Sequence, residues 1–266
     1  MMTERLQHIL AILLLAAAAE AHAQSQQDDV VVAEPGADGT VVVPGGVIGR
    51  YGEDPGVDPE DFDFSDAEEL LWLGDHLKNI DRPARLYYEF QKTGSFEDGF
   101  TDSVFLDILK INPDGTRNAD MQFFTGGRAQ PFSPDNVTEI TGNPVLGVYM
   151  RGDVHDMSRL TSGNWRYFQR SIKMAFAENA SVEPVTIDFA GRSVNGYKVS
   201  ITPFVKDPRR RLFEQFAEKR YEFILSDDIP GTIYQIHTVV PDPDGKGQPL
   251  IEETLTLREV RYRAGS

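Results

Sequence analysis

Three consecutive runs decide the fold: RLYYEFQK at 85–92, SVFLDILKIN at 103–112 and RNADMQFFT at 117–125. In the first, Leu86, Tyr88 and Phe90 alternate with Arg85, Tyr87, Glu89 and Gln91. A period of two places the two sets on opposite sides of a pleated strand. In the second, Val104, Leu106 and Ile108 share one face, while Phe105, Leu109 and Ile111 make the other nearly as apolar, broken by Asp107. Asn112-Pro113-Asp114-Gly115 then turns the chain, with proline presetting φ and glycine accepting a positive φ. Ala119, Met121, Phe123 and Thr125 return on one side, so the three runs form an antiparallel meander.

Working toward the C-terminus, Asn143-Pro144 supplies a capping side chain followed by proline at the first helical position. Leu146, Met150, Val154, Met157 and Leu160 continue as a helical stripe, and Gly163 can end it. Asn164 caps a second helix from Trp165 to about Glu178, with Trp165, Phe168, Ile172 and Phe176 inward. Arg166, Arg170 and Lys173 line a flank of that helix, either as a contact for an anionic membrane surface or as partners for the chain's own carboxylates.

Strands follow at 183–189 and 193–202, the second with Tyr197, Val199 and Ile201 on one face and Asn195-Gly196 as a bulge or turn. Asp207-Pro208 is expected to open a helix to about Lys219, with Arg209, Arg210 and Arg211 in its first turn. Cations there oppose the helix dipole, which marks either an anion-binding place or a tolerated penalty of a few tenths of a kcal/mol. Three closing strands carry Phe223 and Leu255 on their apolar faces. Toward the N-terminus, Ser65 and Glu68 form a capping box for a helix over about 66–79, with Leu70, Leu73 and Leu77 as its stripe and Pro83 beyond it. The sum is an α+β fold: a largely antiparallel curved β-sheet of about eight strands with about four helices packed on one side.

Residues 1–23 read as a signal peptide, with Arg5 in the n-region, an apolar stretch Ile9–Ala19 too short to span a bilayer, and Ala21-His22-Ala23 at the cleavage site. The chain is therefore expected in the periplasm or secreted. Residues 24–64 read as a flexible Gly/Pro/Asp-rich tail, with Val30–Val32 and Val41–Val43 as possible edge strands, and 65–266 as one domain. Asp61, Asp63 and Asp66 imitate the start of a calcium loop, but Asp66 stands where glycine and Trp72 where glutamate is required.

A net charge of −16 argues against a nucleic-acid partner, and the lack of cysteine excludes disulfides, thiolate metal sites and cysteine nucleophiles. No phosphate-binding loop, dinucleotide fingerprint, zinc-helix motif or nucleophile elbow occurs, so no cofactor, metal or catalytic residue is expected. His155 between Asp153 and Asp156 lacks a third ligand. Thr125-Gly126-Gly127-Arg128 reads as a turn, or as a backbone nest for an anion.

What remains is apolar strand surface: 16 Phe, 9 Tyr and 2 Trp, many on strands apolar on both faces. Either this is plain core or the sheet and helices enclose an apolar pocket. The second option makes the chain an exported, non-enzymatic binding protein for an apolar or lipid-like ligand. Its lining would be Leu86, Tyr88, Phe90, Val104, Leu106, Ile108, Met121, Phe123, Tyr197, Phe223 and Leu255, with Arg128 and Arg209, Arg210 and Arg211 for an anionic head group. The layout is similar to that of the outer-membrane lipoprotein carriers, although no motif of that family occurs. An envelope scaffold engaging another protein through 24–64, and a hydrolase of unfamiliar type, are the alternatives.

Overall fold

A computed structural model describes residues 63–129 and 137–263, together with the backbone of 41–43 and 46–48. Residues 1–23, read above as a signal peptide, and almost all of 24–64, Val30–Val32 included, lie outside the described residues. The chain divides into two units, Met1–Phe64 and Ser65–Ser266. In the first, β1 (Val41–Val43) pairs antiparallel with β2 (Gly46–Ile48).

The second unit is built on a nine-stranded sheet in the order β6-β5-β4-β3-β11-β10-β9-β8-β7. Its members are β3 (Ala84–Thr93), β4 (Phe100–Ile111), β5 (Arg117–Phe123), β6 (Val137–Ile140), β7 (Ser181–Phe189), β8 (Arg192–Ile201), β9 (Arg220–Leu225), β10 (Ile233–Val240) and β11 (Ile251–Tyr262). Every pairing is antiparallel. The chain starts in the middle at β3, meanders out to β6, crosses to β7 through two helices, and meanders back until β11 lies beside β3. The sheet is open, with β6 and β7 as its edges, rather than strongly curled or closed.

The meander of 85–126 stands as the sequence indicates, with Leu86 opposite Leu106 and Leu106 opposite Met121 in register. Asn195-Gly196 is neither bulge nor turn but part of a continuous β8; a Cβ on Gly196 would meet the Leu225 carbonyl oxygen at 2.4 Å, so glycine is there to let β9 approach. The hairpin turn falls instead at Ala190 and Gly191, both at positive φ.

Three helical elements pack on one sheet face. The first opens as α1 (Asp66–Glu68), capped by the Ser65–Glu68 box, and runs on as a π-turn over Glu69–Leu73. It stops at Gly74, well short of the expected 79, because Gly74 turns extended and His76 folds back to take the Leu70 carbonyl. The others are α2 (Pro144–Thr161), capped by Asn143, and α3 (Trp165–Asn179), capped by Asn164. The helix expected over 207–219 is absent. Two short 3-10 turns, Arg210–Leu212 and Glu214–Phe216, stand in its place. Three arginines at a helix start oppose the dipole, and here Phe204, Phe213 and Phe216 anchor the segment individually: Phe168 packs edge-on against both Phe204 and Phe213 at 5.6 Å.

The covered sheet face joins the helices in one hydrophobic cluster. The opposite face carries half-buried aromatic and aliphatic groups laced with ion pairs. Tyr87 stacks on Phe105 at 5.5 Å, Arg85 and Arg263 share Asp107, and Arg258 grips Glu89. His237 lies between Glu222 and Glu252, at 3.1 and 2.8 Å. Among the described residues no helix is long and apolar enough to cross a membrane.

Candidate functional site

The strand residues named as pocket lining divide sharply. Leu86, Tyr88, Phe90, Val104, Leu106, Ile108, Met121, Phe123, Phe223 and Leu255 are all buried, between 0% and 4% exposed, directly beneath the helical layer. Burial of this kind needs no ligand, and core packing accounts for these side chains as they stand. Tyr197 is different. It is 47% exposed and borders a cleft of about 360 Å³ with Leu70, Val185, Leu225, Asp227 and Asp228.

Arg128 marks a second cleft, of about 470 Å³, where the sheet and the C-terminal half of α2 meet. Lys92 comes from the end of β3, Glu97 and Asp98 from the β3–β4 loop, Phe100 from β4, Phe124 and Arg128 from the segment after β5, and Asp156 and Arg159 from α2. Its aromatic wall is continuous with the core: Phe124 lies 4.7 Å from Phe90 and 5.7 Å, edge-on, from Phe100. Phe124 holds a left-handed φ of 67°, a conformation that costs a non-glycine residue about 1–3 kcal/mol. Asp102 holds it there. Its Oδ1 accepts from the Thr125 amide and hydroxyl at 3.0 and 2.8 Å, clamping the chain just after the strained residue.

The next three residues form a 3-10 turn, Gly126–Arg128, in which the amides of Arg128 and Ala129 donate to the carbonyls of Thr125 and Gly126. Those two donors are engaged within the turn. Its product is the placement of Arg128, whose guanidinium sits 4.7 Å over the Phe100 ring.

The other cations of the cleft are neutralised. Lys92 is almost buried and lies 3.1 Å from Glu97, 3.1 Å from Glu253 and 3.8 Å from Asp156. Burial pulls its pKa down, but Glu253 and Asp156 outweigh that and raise it overall. Arg159 grips Glu97 with two hydrogen bonds, at 2.7 and 3.1 Å, and reaches Asp156 at 3.2 Å. The Arg159 bond, reinforced by Lys92, holds Glu97 down at about 2. Arg128, by contrast, has no carboxylate partner among the described residues.

Behind Lys92 the charges continue into the interior. Glu253 accepts from the Tyr149 hydroxyl at 3.0 Å, and burial raises its pKa. Asp153 pairs with Lys219 and accepts from the Tyr221 hydroxyl at 2.7 Å. That pairing explains Asp153 without a metal, and His155 stacks on Trp165 at 5.4 Å. Among the described residues no group of three or more His, Cys, Asp or Glu could hold a metal ion.

Arg209, Arg210 and Arg211 are exposed on the 3-10 turn, away from either cleft. Arg210 is tied to Glu218 and the Val205 carbonyl, and Arg209 lies 5.2 Å over Tyr167. Sequence reasoning missed Lys92, Glu97, Asp98, Phe100, Phe124, Asp156 and Arg159 as members of one site. Only the burial of a lysine between alternating strand residues could have hinted at it.

No family model matches the chain, and no curated protein does. Among solved structures it is similar to lipoprotein LppX of Mycobacterium tuberculosis, at 10% identity over 72% of this chain and 92% of that one, with a TM-score of 0.29. It is also similar to a LolA superfamily protein from Nitrosomonas europaea, at 8% over 75% and 94%, TM-score 0.21. A third is a DUF1329 family protein from Desulfovibrio piger, at 9% over 72% and 90%, TM-score 0.25. Identities and scores this low say nothing of what the chain binds. What the fold and the cleft define is an α+β chain with a one-sided helical layer and a mixed aromatic and cationic recess at its rim.

Proposed function

We propose that the chain is an exported, non-enzymatic binding protein that holds an amphiphile in the cleft between the sheet and α2. The observation that carries this is Arg128, stacked on Phe100 without an acidic partner, at the mouth of a recess walled by Phe100 and Phe124. An anionic head group meets the guanidinium fork, and the apolar part of the ligand lies on the two phenylalanines. The ligand thus sits at the rim of the sheet–helix sandwich, where the packing opens, and the strand residues beneath α2 serve as the rigid floor. Non-catalytic binding is supported by the character of the cleft: Lys92, Glu97, Asp156 and Arg159 are engaged in ion pairs with one another. Periplasmic or secreted location rests on the signal-like N-terminus.

The test is fluorescence titration with an anionic amphiphile, 8-anilinonaphthalene-1-sulfonate, displaced by palmitate. Arg128→Ala and Phe100→Ala should each weaken binding roughly ten-fold, the size of one charge-assisted contact or one aromatic wall. Asp98→Asn should strengthen it, because Asp98 is the acid of the cleft that pairs with no cation among the described residues. Equal affinity in all four proteins would overturn the reading.

A further inference from the structure

A second cationic surface lies on the helical side, remote in sequence from Arg128, and the binding reading makes no use of it. Helix α3 buries Phe168, Ile172 and Phe176. At about 100° per residue, Arg166, Arg170 and Lys173 fall within about 60° of one another on the side away from that stripe, and all three are exposed. Tyr167 and Met174 come next around the helix, within about 60° of Arg170. Tyr167 fastens this flank to the segment before β9: its hydroxyl donates to the Asp207 carboxylate, at 2.5 and 2.6 Å to the two oxygens, and the Arg209 guanidinium covers its ring at 5.2 Å. Arg211 and Leu212 follow directly, both exposed.

Arg166, Arg170 and Lys173 thus stand on α3, Arg209 beside it over Tyr167, and Arg211 next along the chain, in a protein whose net charge is −16. Arg170, Lys173 and Arg211 have no carboxylate partner among the described residues. Of the acids flanking the turn, Asp207 is engaged by Tyr167 and Glu218 by Arg210, and Glu214 is the one left exposed beside it. Two large apolar side chains stand in the open here: Leu212 is 76% exposed, the most of any large hydrophobic described, and Met174 is 44% exposed. Cations alone would suit any acidic partner. Cations around projecting leucine and methionine side chains suit an interface that offers negative charge outside and hydrocarbon a few ångströms in.

We propose that this face, centred on Arg170, Lys173 and Leu212, docks the protein reversibly onto an anionic phospholipid surface. The three consecutive arginines and the exposed leucine then have a common purpose, and the failed helix at 207–219 is what lets Leu212 project. Docking through this face is independent of Arg128, so either site can fail without the other.

Co-sedimentation of the purified chain with phosphatidylglycerol vesicles, against phosphatidylcholine vesicles, tests it. Binding is expected to the anionic vesicles and to weaken with salt. Each cation at such a surface contributes roughly five-fold in affinity, so Arg170→Glu with Lys173→Glu should lower binding by at least about 25-fold. Leu212→Ser, at a position 76% exposed, should lower it several-fold at unchanged charge. Arg128→Ala should change nothing. Absent binding to anionic vesicles at low salt would overturn the proposal and point to an acidic protein as the partner. So would equal binding to neutral vesicles, or indifference to both the charge reversals and Leu212→Ser.

Discussion

His76 shows how single side chains tie the elements of this fold together. It is 3% exposed, and both ring nitrogens are engaged: Nε2–H donates to the Leu70 carbonyl at 2.8 Å, and Nδ1 accepts the Asn143 amide at 3.1 Å. Asn143 in turn caps α2 and donates through its side chain to the Tyr88 hydroxyl and the Gly231 carbonyl, at 2.9 and 2.8 Å. A protonated imidazole cannot accept at Nδ1, and burial lowers the His76 pKa below its ordinary 6.5. The unfolded chain therefore takes up a proton that the folded chain refuses. The resulting stability is complete above about 6.5 and declines as the pH falls below that value. Glu97 acts in a different window, since a carboxylate held at about 2 loses its contribution only below its ordinary 4.5. Urea unfolding at about pH 7.5 and about pH 5.5 should show a loss on acidification that His76→Gln removes. The same loss in both proteins would mean that His76 does not govern this window. None of this was legible in the sequence. His76 stood within an expected helix, and its partners lie before it at Leu70 and far beyond it at Asn143.

Helix α2 is the element on which the interior depends. Its ends and apolar stripe were readable, because Asn143-Pro144 and the spacing from Leu146 to Met157 are local signals. Its polar inner face was not. Tyr149, Asp153 and Asp156 recur at helical spacing on the sheet side, and their partners Thr238, Glu253, Lys219 and Lys92 come from distant strands and turns. A charged residue within a helix reads as solvent-facing unless its counter-ion can be placed, and no local pattern places one 66 residues away. Strand β6 escaped notice for a related reason: its four residues bury only Ile140, too little for an alternation to register. Asp153→Ala would strand the Lys219 ammonium in the core and should cost about 3–5 kcal/mol, whereas Asp153→Leu combined with Lys219→Met should recover most of it. Chemical denaturation of both variants checks this; a double variant as unstable as the single one would show that the pair is valued for more than mutual neutralisation.

At the scale of the whole molecule, the chain lays a nine-stranded sheet outward and back from β3 and covers one face with α2 and α3. Hairpin turns and alternating strands made that architecture readable almost to the strand. The surplus of apolar strand residues pointed to a central pocket, yet those residues are consumed as core, because alternation marks which face is buried and not what buries it. Arg128 could be singled out as a cation beside a glycine pair, but the recess it guards is assembled from three separate stretches that meet only in the folded chain. The central claim is that this recess holds an anionic amphiphile. Native mass spectrometry of the chain purified gently from the cells that make it tests that claim most directly. The expected spectrum shows the chain with an added amphiphile-sized mass that Arg128→Glu abolishes; a bare chain, or an added mass that survives Arg128→Glu, would contradict it.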